Sequence, residues 1–354
     1  MIRTLRKACF TARLLAIKAF RHHPYPLYAN LVVNSRCNLR CVYCFGGYPD
    51  RREREYTFEE IQCIVDELHA MGTRYILVQG GEPFLRRDLG DVIEYIDRKG
   101  ILVAVVSNGT LTRRIADCRT LDRLDNLCFS LDGMPAGNDR QRGRDVFTKV
   151  LRSVDDVRAR HPAVKIRINA VITRHTVDEF IDFLRLCWAR GLEVQIGALF
   201  KDSLLAADSE KVRAIFEFAY GAKKRGARIV ASSSVLRYVA DWPFDSIWVS
   251  REAARARLGR RTKECHYGRY FVVVDSDGAV YPCNALQGTF APKRLREVPL
   301  ADALRHLRTK PCYTCNIPAM LDTSEIVNWN LGALVERVRL EWQPRRATTG
   351  RWHG

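Results

Sequence analysis

An α/β protein built on a parallel sheet is what this sequence predicts, and three observations predict it. From Leu27 onward, short apolar runs rich in Val and Ile alternate with longer amphipathic stretches. Strands separated by helices pair in parallel, because each helix carries the chain back across the sheet. Polar and glycine-bearing clusters directly follow several of the apolar runs, where strand-end loops carry chemistry. The chain is also long enough, at 354 residues with 47% hydrophobic content, to bury one large core or two modest ones.

Taken in order, strands are expected at Tyr28 to Val33, Tyr75 to Gln79, Leu102 to Val106, Leu127 to Leu131, Lys165 to Ile172 and Glu193 to Ala198, giving six βα units. Thr57 to Met71 is the clearest helix among them. Thr57 with Glu60 has the form of a capping box, which satisfies amides left free at a helix start. The first four strands are followed by a cysteine cluster, Gly80-Gly81-Glu82-Pro83, Ser107-Asn108-Gly109-Thr110 and Ser130-Leu131-Asp132-Gly133. Loops at the carboxyl ends of parallel strands vary without disturbing the interior, so four such clusters in register point to a site on one rim.

The cysteine cluster is Cys37, Cys41 and Cys44, spaced Cys-x3-Cys-x2-Cys after the apolar run Leu31-Val32-Val33. A structural zinc usually takes four nitrogen or sulfur ligands. An iron–sulfur cube can be held by three thiolates with one iron left open for a substrate or cofactor. Glycines at 80 and 81 let backbone approach a ligand closely, and Glu82 offers an acceptor to a cationic amine. Arg142, beyond the fourth strand, is suited to pair with a carboxylate as a planar fork.

The segment Cys37-Asn38-Leu39-Arg40-Cys41-Val42-Tyr43-Cys44 resembles the signature of the radical S-adenosylmethionine (radical SAM) enzymes, aromatic Tyr43 included. The resemblance implies a partial (β/α)6 TIM-like barrel, a count that six βα units suit. It implies a [4Fe-4S] cluster on Cys37, Cys41 and Cys44, whose open iron chelates S-adenosylmethionine. Reductive cleavage of that cofactor then yields a 5'-deoxyadenosyl radical that takes hydrogen from a substrate. Cofactor contacts are implied for Tyr43, for Gly80, Gly81 and Glu82 at the amino group, for Ser107 and Asn108 at the ribose, for Ser130, Asp132 and Arg142, and for Asn169 facing the nucleoside.

A second set comprises Cys265, Cys283, Cys312 and Cys315, with Asp277-Gly278 reading as a hairpin turn between alternating runs. It resembles the Twitch domain, the half-sized relative of the SPASM extension, and implies a small C-terminal α+β domain with one auxiliary [4Fe-4S] cluster. Four thiolates leave no open iron, which favours electron transfer or architecture; a structural zinc is the alternative. The organisation expected is a basic amphipathic helix at 1–26, the radical SAM barrel at 27–200, a helical connection at 201–260, the auxiliary domain at 261–320 and a C-terminal helix and tail at 321–354. Cys9, Cys63, Cys118, Cys128 and Cys187 sit in apolar or helical contexts and are assigned to packing.

The formal net charge is +18, dispersed over the N-terminus, the stretch from Arg251 to Lys263, the region after Pro292 and Arg345-Arg346. Aromatics do not interleave with these runs as a stacking groove requires, so no nucleic acid is expected. No stretch reaches the roughly 18 to 20 apolar residues of a membrane span. Arg3, Arg6, Lys7, Arg13 and Lys18 interrupt any secretory core, and the expected location is the cytoplasm. Ile2, Leu5, Cys9, Ala12, Ala16, Ala19 and Phe20 form an apolar stripe suited either to packing on the barrel or to peripheral contact with a membrane.

The leading expectation is therefore a radical SAM enzyme acting on a small molecule, glycan or lipid, with an auxiliary cluster for electron transfer and a flavodoxin- or ferredoxin-type electron donor. Maturation of a ribosomally made peptide or protein by the same chemistry is the alternative, set second because about 26 residues precede the first strand. A non-catalytic iron–sulfur or zinc scaffold that binds nucleic acid is the alternative from another class. Such a scaffold has no use for glycine and polar clusters at successive strand ends.

Overall fold

The structure, a computed structural model, describes residues 2–19, 26–199, 205–309 and 313–342. Two compact units make up the chain: residues 1–129, 148–165 and 266–310 form the first, and 130–147, 166–265 and 311–354 the second.

In the first unit β1 (Tyr28–Val32), β2 (Tyr75–Gln79), β3 (Leu102–Ser107) and β4 (Asn126–Ser130), whose last residue opens the second unit, lie parallel in sequence order. In the second, β5 (Ile166–Ile172) pairs in parallel with β6 (Glu193–Ala198). Each of these strands falls within one residue of its expected bounds. The apolar runs that announce them are buried because helices cover parallel strands; Ala29, Leu31, Val32, Ile76, Val78, Ala104 and Val105 are all fully enclosed. The helix Phe58–Ala70 buries Ile61, Ile64, Val65 and Leu68 at helical spacing. Its capping box is formed: Thr57 Oγ1 accepts from Glu60 N at 3.2 Å and Glu60 Oε2 from Thr57 N at 2.8 Å.

Five further strands complete the picture among the described residues. β7 (Trp248–Ser250) and β11 (Tyr313–Cys315) form an antiparallel ribbon in the second unit. β8 (Phe271–Val274) runs parallel beside β1, with Tyr28 opposite Phe271, and β9 (Ala279–Tyr281) and β10 (Lys293–Arg294) continue the sheet of the first unit in antiparallel fashion. The hairpin turn is at Asp277-Gly278, where Gly278 has φ 90° and Ala279 N donates to Asp277 Oδ1 at 2.9 Å. The hairpin is thus part of the sheet that carries the cysteine loop. Phe271 to Val274 explain why: four consecutive apolar residues need cover that an isolated two-stranded hairpin does not supply. The span 261–320 is divided, with 266–310 in the first unit and Cys265 and the residues after 310 in the second.

The amphipathic helix is present as Ile2–Ala19, but its docked face differs from the apolar stripe. Arg6 pairs with Asp97 at 2.6 Å, Lys7 with Asp125 at 2.5 Å, and Phe10 lies 5.5 Å from Tyr75. Leu5 is 65% exposed, and Cys9 and Ala12 face solvent. Ion pairs with Asp97, on the helix Leu89–Arg98, and with Asp125, just before β4, outcompete the small side chains of the stripe, which bury little area each. Of the cysteines assigned to packing, Cys128 and Cys187 are buried and Cys118 is half-buried; Cys9 and Cys63 are exposed, so packing does not account for them. Among the described residues no helix is long and apolar enough to cross a membrane.

In the second unit, the helix Phe180–Ala189 buries Phe180, Phe183, Leu184, Cys187 and Trp188. At the other ends of its strands a buried ionic group ties β5 to β6: Glu193 accepts from Arg167 at 3.0 Å and from Arg228 at 2.6 Å. The elements after 316 include helices Pro318–Val327 and Leu331–Trp342; the tail from residue 343 lies outside the described residues.

Candidate active site at the strand ends

Three loops of the first unit converge at the carboxyl ends of β1, β2 and β3. The loop after β1 carries the cysteines, and the glycine loop is zipped onto it. Gly81 N donates to Asn34 O at 3.0 Å, Glu82 N to Arg36 O at 2.8 Å, and Asn34 Nδ2 to Glu82 O at 2.9 Å. A Cβ on Gly80 would fall 2.3 Å from Asn34 Oδ1, and one on Gly81 would fall 2.3 Å from Arg36 O. The glycines are therefore needed for a close approach, and what approaches is the backbone leading into Cys37.

Glu82 is fully buried. Its Oε1 accepts from Ser107 Oγ at 2.9 Å and Phe84 N at 3.1 Å, and its Oε2 from Asn108 N at 2.7 Å. Burial pushes its pKa up from 4.5 to about 7, against the opposing pull of those three donors. The carboxylate thus joins the β2 loop to the β3 loop. Ser107 is consumed in the same junction, since its Oγ also accepts from Gly109 N at 3.0 Å. Asn108 Nδ2 donates to Asn38 Oδ1 at 2.9 Å and lies 3.9 Å from Cys37 Sγ, and its Oδ1 accepts from Thr110 N and Oγ1 at 3.0 and 2.7 Å. The β3 loop therefore holds the cysteine loop from a second side.

Cys37, Cys41, Tyr43 and Cys44 are half-buried, while Val42 and Phe45 are 55% and 58% exposed. The loop turns tightly, with Cys44 N donating to Cys41 O at 3.1 Å. Burial raises the Cys37 thiol from 9.0 to about 11, and the nearby Glu82, Cys41 and Cys44 add to that. Three soft thiols on one short loop are the donor chemistry that an iron–sulfur cluster takes. Among the described residues no three His, Cys, Asp or Glu side chains are gathered into a formed metal-holding group.

The remaining strand-end residues belong to the second unit. Asp132 is fully buried; Oδ2 accepts from Arg142 Nε at 2.5 Å and Gln141 Nε2 at 2.6 Å, and Oδ1 from Val171 N at 2.9 Å and Arg142 Nη2 at 3.1 Å. The carboxylate partner of Arg142 in this structure is thus Asp132. Ser130 is buried, and Asn169 is half-buried on β5 with its carbonyl accepting from Leu131 N at 3.1 Å. In the later cysteine set, Cys283 belongs to the first unit, Cys265 and Cys315 to the second, and Cys312 lies outside the described residues.

Sequence reasoning passed over Asn34 and Tyr48. Asn34 follows the strand run directly, and its side chain is what zips the two loops. Tyr48 is announced only by the Gly46-Gly47 pair before it, which permits a ring to lie on the loop.

Residues 31–187 match the Radical SAM superfamily, so the chain carries a radical SAM domain. Enzymes of that superfamily use a [4Fe-4S] cluster and S-adenosylmethionine. Among curated proteins it is 27% identical to the mycofactocin maturase MftC of Mycolicibacterium smegmatis over 257 residues, 70% of this chain and 61% of that protein. It is 24% identical to the AdoMet-dependent heme synthase of Nitratidesulfovibrio vulgaris over 343 residues, 89% of this chain and 92% of that protein. The chain spans about three fifths of the maturase's length. Among solved structures, Streptococcus suis SuiB bound to S-adenosylmethionine superposes with TM-score 0.58 at 18% identity, covering 82% of this chain and 68% of SuiB. anSMEcpe bound to AdoMet and a peptide gives 0.57 at 19%, covering 84% and 83%. The fold is accordingly the mixed α/β, TIM-like partial barrel of these neighbours.

Proposed function

We propose that this protein matures a peptide or protein substrate by radical SAM chemistry, with Cys37, Cys41 and Cys44 holding the [4Fe-4S] cluster. The carrying observation is the loop geometry: three thiols at the end of β1, braced by the glycine loop on one side and Asn108 on the other. When bound, the cluster and S-adenosylmethionine supply the hydrogen-abstracting radical. The chain's own part is to fix the three thiols, to shield them, and to keep Glu82 and Asn108 as rigid links between loops. Preorganisation of this kind spares the cost of ordering the site at each turnover.

A peptide substrate is favoured over the expected small molecule, glycan or lipid by the likeness to a maturase, and a fold shared with SuiB, which has been solved bound to its precursor peptide, is compatible with it. A small-molecule substrate is the second reading, favoured by the nearly full-length match to a heme synthase. In both, a flavodoxin- or ferredoxin-type protein delivers the electron, and an auxiliary cluster is the second metal cofactor.

Anaerobic reconstitution with iron and sulfide, then S-adenosylmethionine and dithionite, tests the core of the proposal by the release of 5'-deoxyadenosine. Cys41→Ala is expected to lower that release at least a hundredfold, because two thiolates do not hold the cluster. Full activity of the variant would refute the ligand assignment. Mass spectrometry of short peptides encoded beside the gene, incubated with the loaded enzyme, separates the substrate readings: a cofactor-dependent mass change supports maturation, and turnover of a metalloporphyrin precursor with no peptide change supports the second.

A further inference from the structure

The inference that follows rests on the Cys37–Cys44 loop being the primary cluster site, and it concerns Tyr48, to which nothing above assigns a role. Tyr48 stands four residues past Cys44 and is 5% exposed. Its ring shares a small apolar core with Val32 and Val273, against which Cys37, Cys44 and Tyr281 pack. A Cβ on Gly46 would lie 2.4 Å from ring atoms Cε2 and Cζ, so a glycine at that position is what lets the ring close on the cysteine loop. The Arg51 guanidinium sits 5.4 Å from the ring centroid.

The hydroxyl of this ring is buried and has no hydrogen-bond partner. Leaving a buried donor without its bond is destabilising. Asp275 is the obvious acceptor nearby, but its oxygens are already taken. Oδ1 accepts from Arg51 Nη1 at 3.0 Å and Ser276 N at 2.7 Å, and Oδ2 from Arg51 Nη1 at 3.2 Å and Gln287 Nε2 at 2.9 Å. Two lone pairs on each carboxylate oxygen are thereby accounted for.

What is left are the sulfurs of Cys44 and Cys37, which pack against the same small core as the ring. A protonated thiol is a weak acceptor. Metal binding deprotonates its cysteine ligands, and a thiolate sulfur is an acceptor for a phenolic O–H.

We propose that Tyr48 is a positioning residue of the primary site, whose hydroxyl donates a hydrogen bond to the sulfur of Cys44 or Cys37 once that site is loaded and so raises the site's reduction potential. A donor to a ligand sulfur stabilises the more negative, reduced state; such bonds are among the levers that set iron–sulfur potentials.

Tyr48→Phe removes only the oxygen and tests both halves. In the metal-free protein, the variant is expected to melt at or above the wild-type temperature, because an unpartnered buried hydroxyl is lost. In the loaded protein, an EPR-monitored redox titration is expected to give a lower midpoint potential than wild type, and a deuterium-exchangeable coupling at the cluster is expected to disappear. A lower melting temperature of the metal-free variant would show that the hydroxyl has a protein partner and would overturn the proposal. So would unchanged potential and coupling, or loss of iron uptake, which would make the hydroxyl an assembly element. If wild-type protein itself assembles no iron–sulfur cluster, the fault lies in the proposed function, a result the Tyr48 comparison does not produce.

Discussion

Two carboxylates sit fully buried at strand ends of this protein, and they are held in opposite ways. Glu82, in the first unit, faces three neutral donors, and burial raises its pKa to about 7. Asp132, in the second unit, is clamped by the fork of Arg142 together with Gln141 and the Val171 amide. The difference separates two kinds of strand-end architecture. Around Glu82 the loops are sewn together by hydrogen bonds that tolerate a neutral acid, so the junction beside the cysteines carries little fixed charge. Around Asp132 the structure depends on a charge pair that cannot lose a member without stranding the other.

The largest effect is therefore expected from Asp132→Ala. Removing one partner of a buried pair leaves the guanidinium desolvated without its carboxylate, and such losses run to about 3–5 kcal/mol. Urea denaturation at neutral pH measures it. A loss under about 1 kcal/mol, the scale of an exposed pair, would mean that water reaches Arg142 and that the clamp is no tighter than a surface bridge. Arg142→Met added to Asp132→Ala is expected to recover part of the loss, since no buried charge then remains.

Glu82 is expected to show itself through pH. Its folded-state pKa lies above the ordinary 4.5, so between about 4.5 and 7 the folded protein retains a proton that the unfolded chain has given up. Stability then falls as pH rises through that window and is level above it. A shift of that size corresponds to about 3 kcal/mol at most. Glu82→Gln is expected to be flat over the same window when denaturation midpoints are compared from pH 5 to 8. A wild-type curve rising with pH in proportion to one ionisation would show that the carboxylate is better solvated or better paired than its surroundings suggest.

The same contrast explains what was legible in the sequence. β1 to β6 were readable to within a residue because each is a short, largely apolar segment set between helical stretches, and burial against helices leaves such a segment few alternatives. The Thr57 and Glu60 capping box was readable because both halves lie within four residues. The place of β8 beside β1 was not, because pairing Tyr28 with Phe271 is a choice between chain segments far apart in sequence. At the site, Gly80-Gly81 announced a close approach to a ligand; the close neighbours in the structure are Asn34 and the Ser35–Arg36 backbone. Arg142 announced a carboxylate, and Asp132, ten residues earlier, supplies one. Tyr48 had only the Gly46-Gly47 pair to announce it, since its burial depends on Val32 and on Val273 of the distant hairpin.

The smallest effect, and the one that probes the neutral side of the contrast most directly, belongs to Asn108→Ala. The side chain donates to Asn38, accepts from Thr110, and comes within 3.9 Å of Cys37 Sγ, all in partly solvated surroundings. Each such neutral bond contributes about 0.5–1.5 kcal/mol net, and water replaces part of what is lost, so global unfolding is expected to shift by about 1 kcal/mol. Locally the consequence is larger, because Asn108 is the brace between the β3 loop and the cysteine loop. Alkylation of Cys37 in the metal-free variant, followed by peptide mapping, is expected to be severalfold faster than in wild type, with the fully buried Cys187 unchanged as the internal control. Equal rates at Cys37 would show that the zipper of Asn34, Gly81 and Glu82 alone holds the loop, and would reduce the braces on the thiols from two to one.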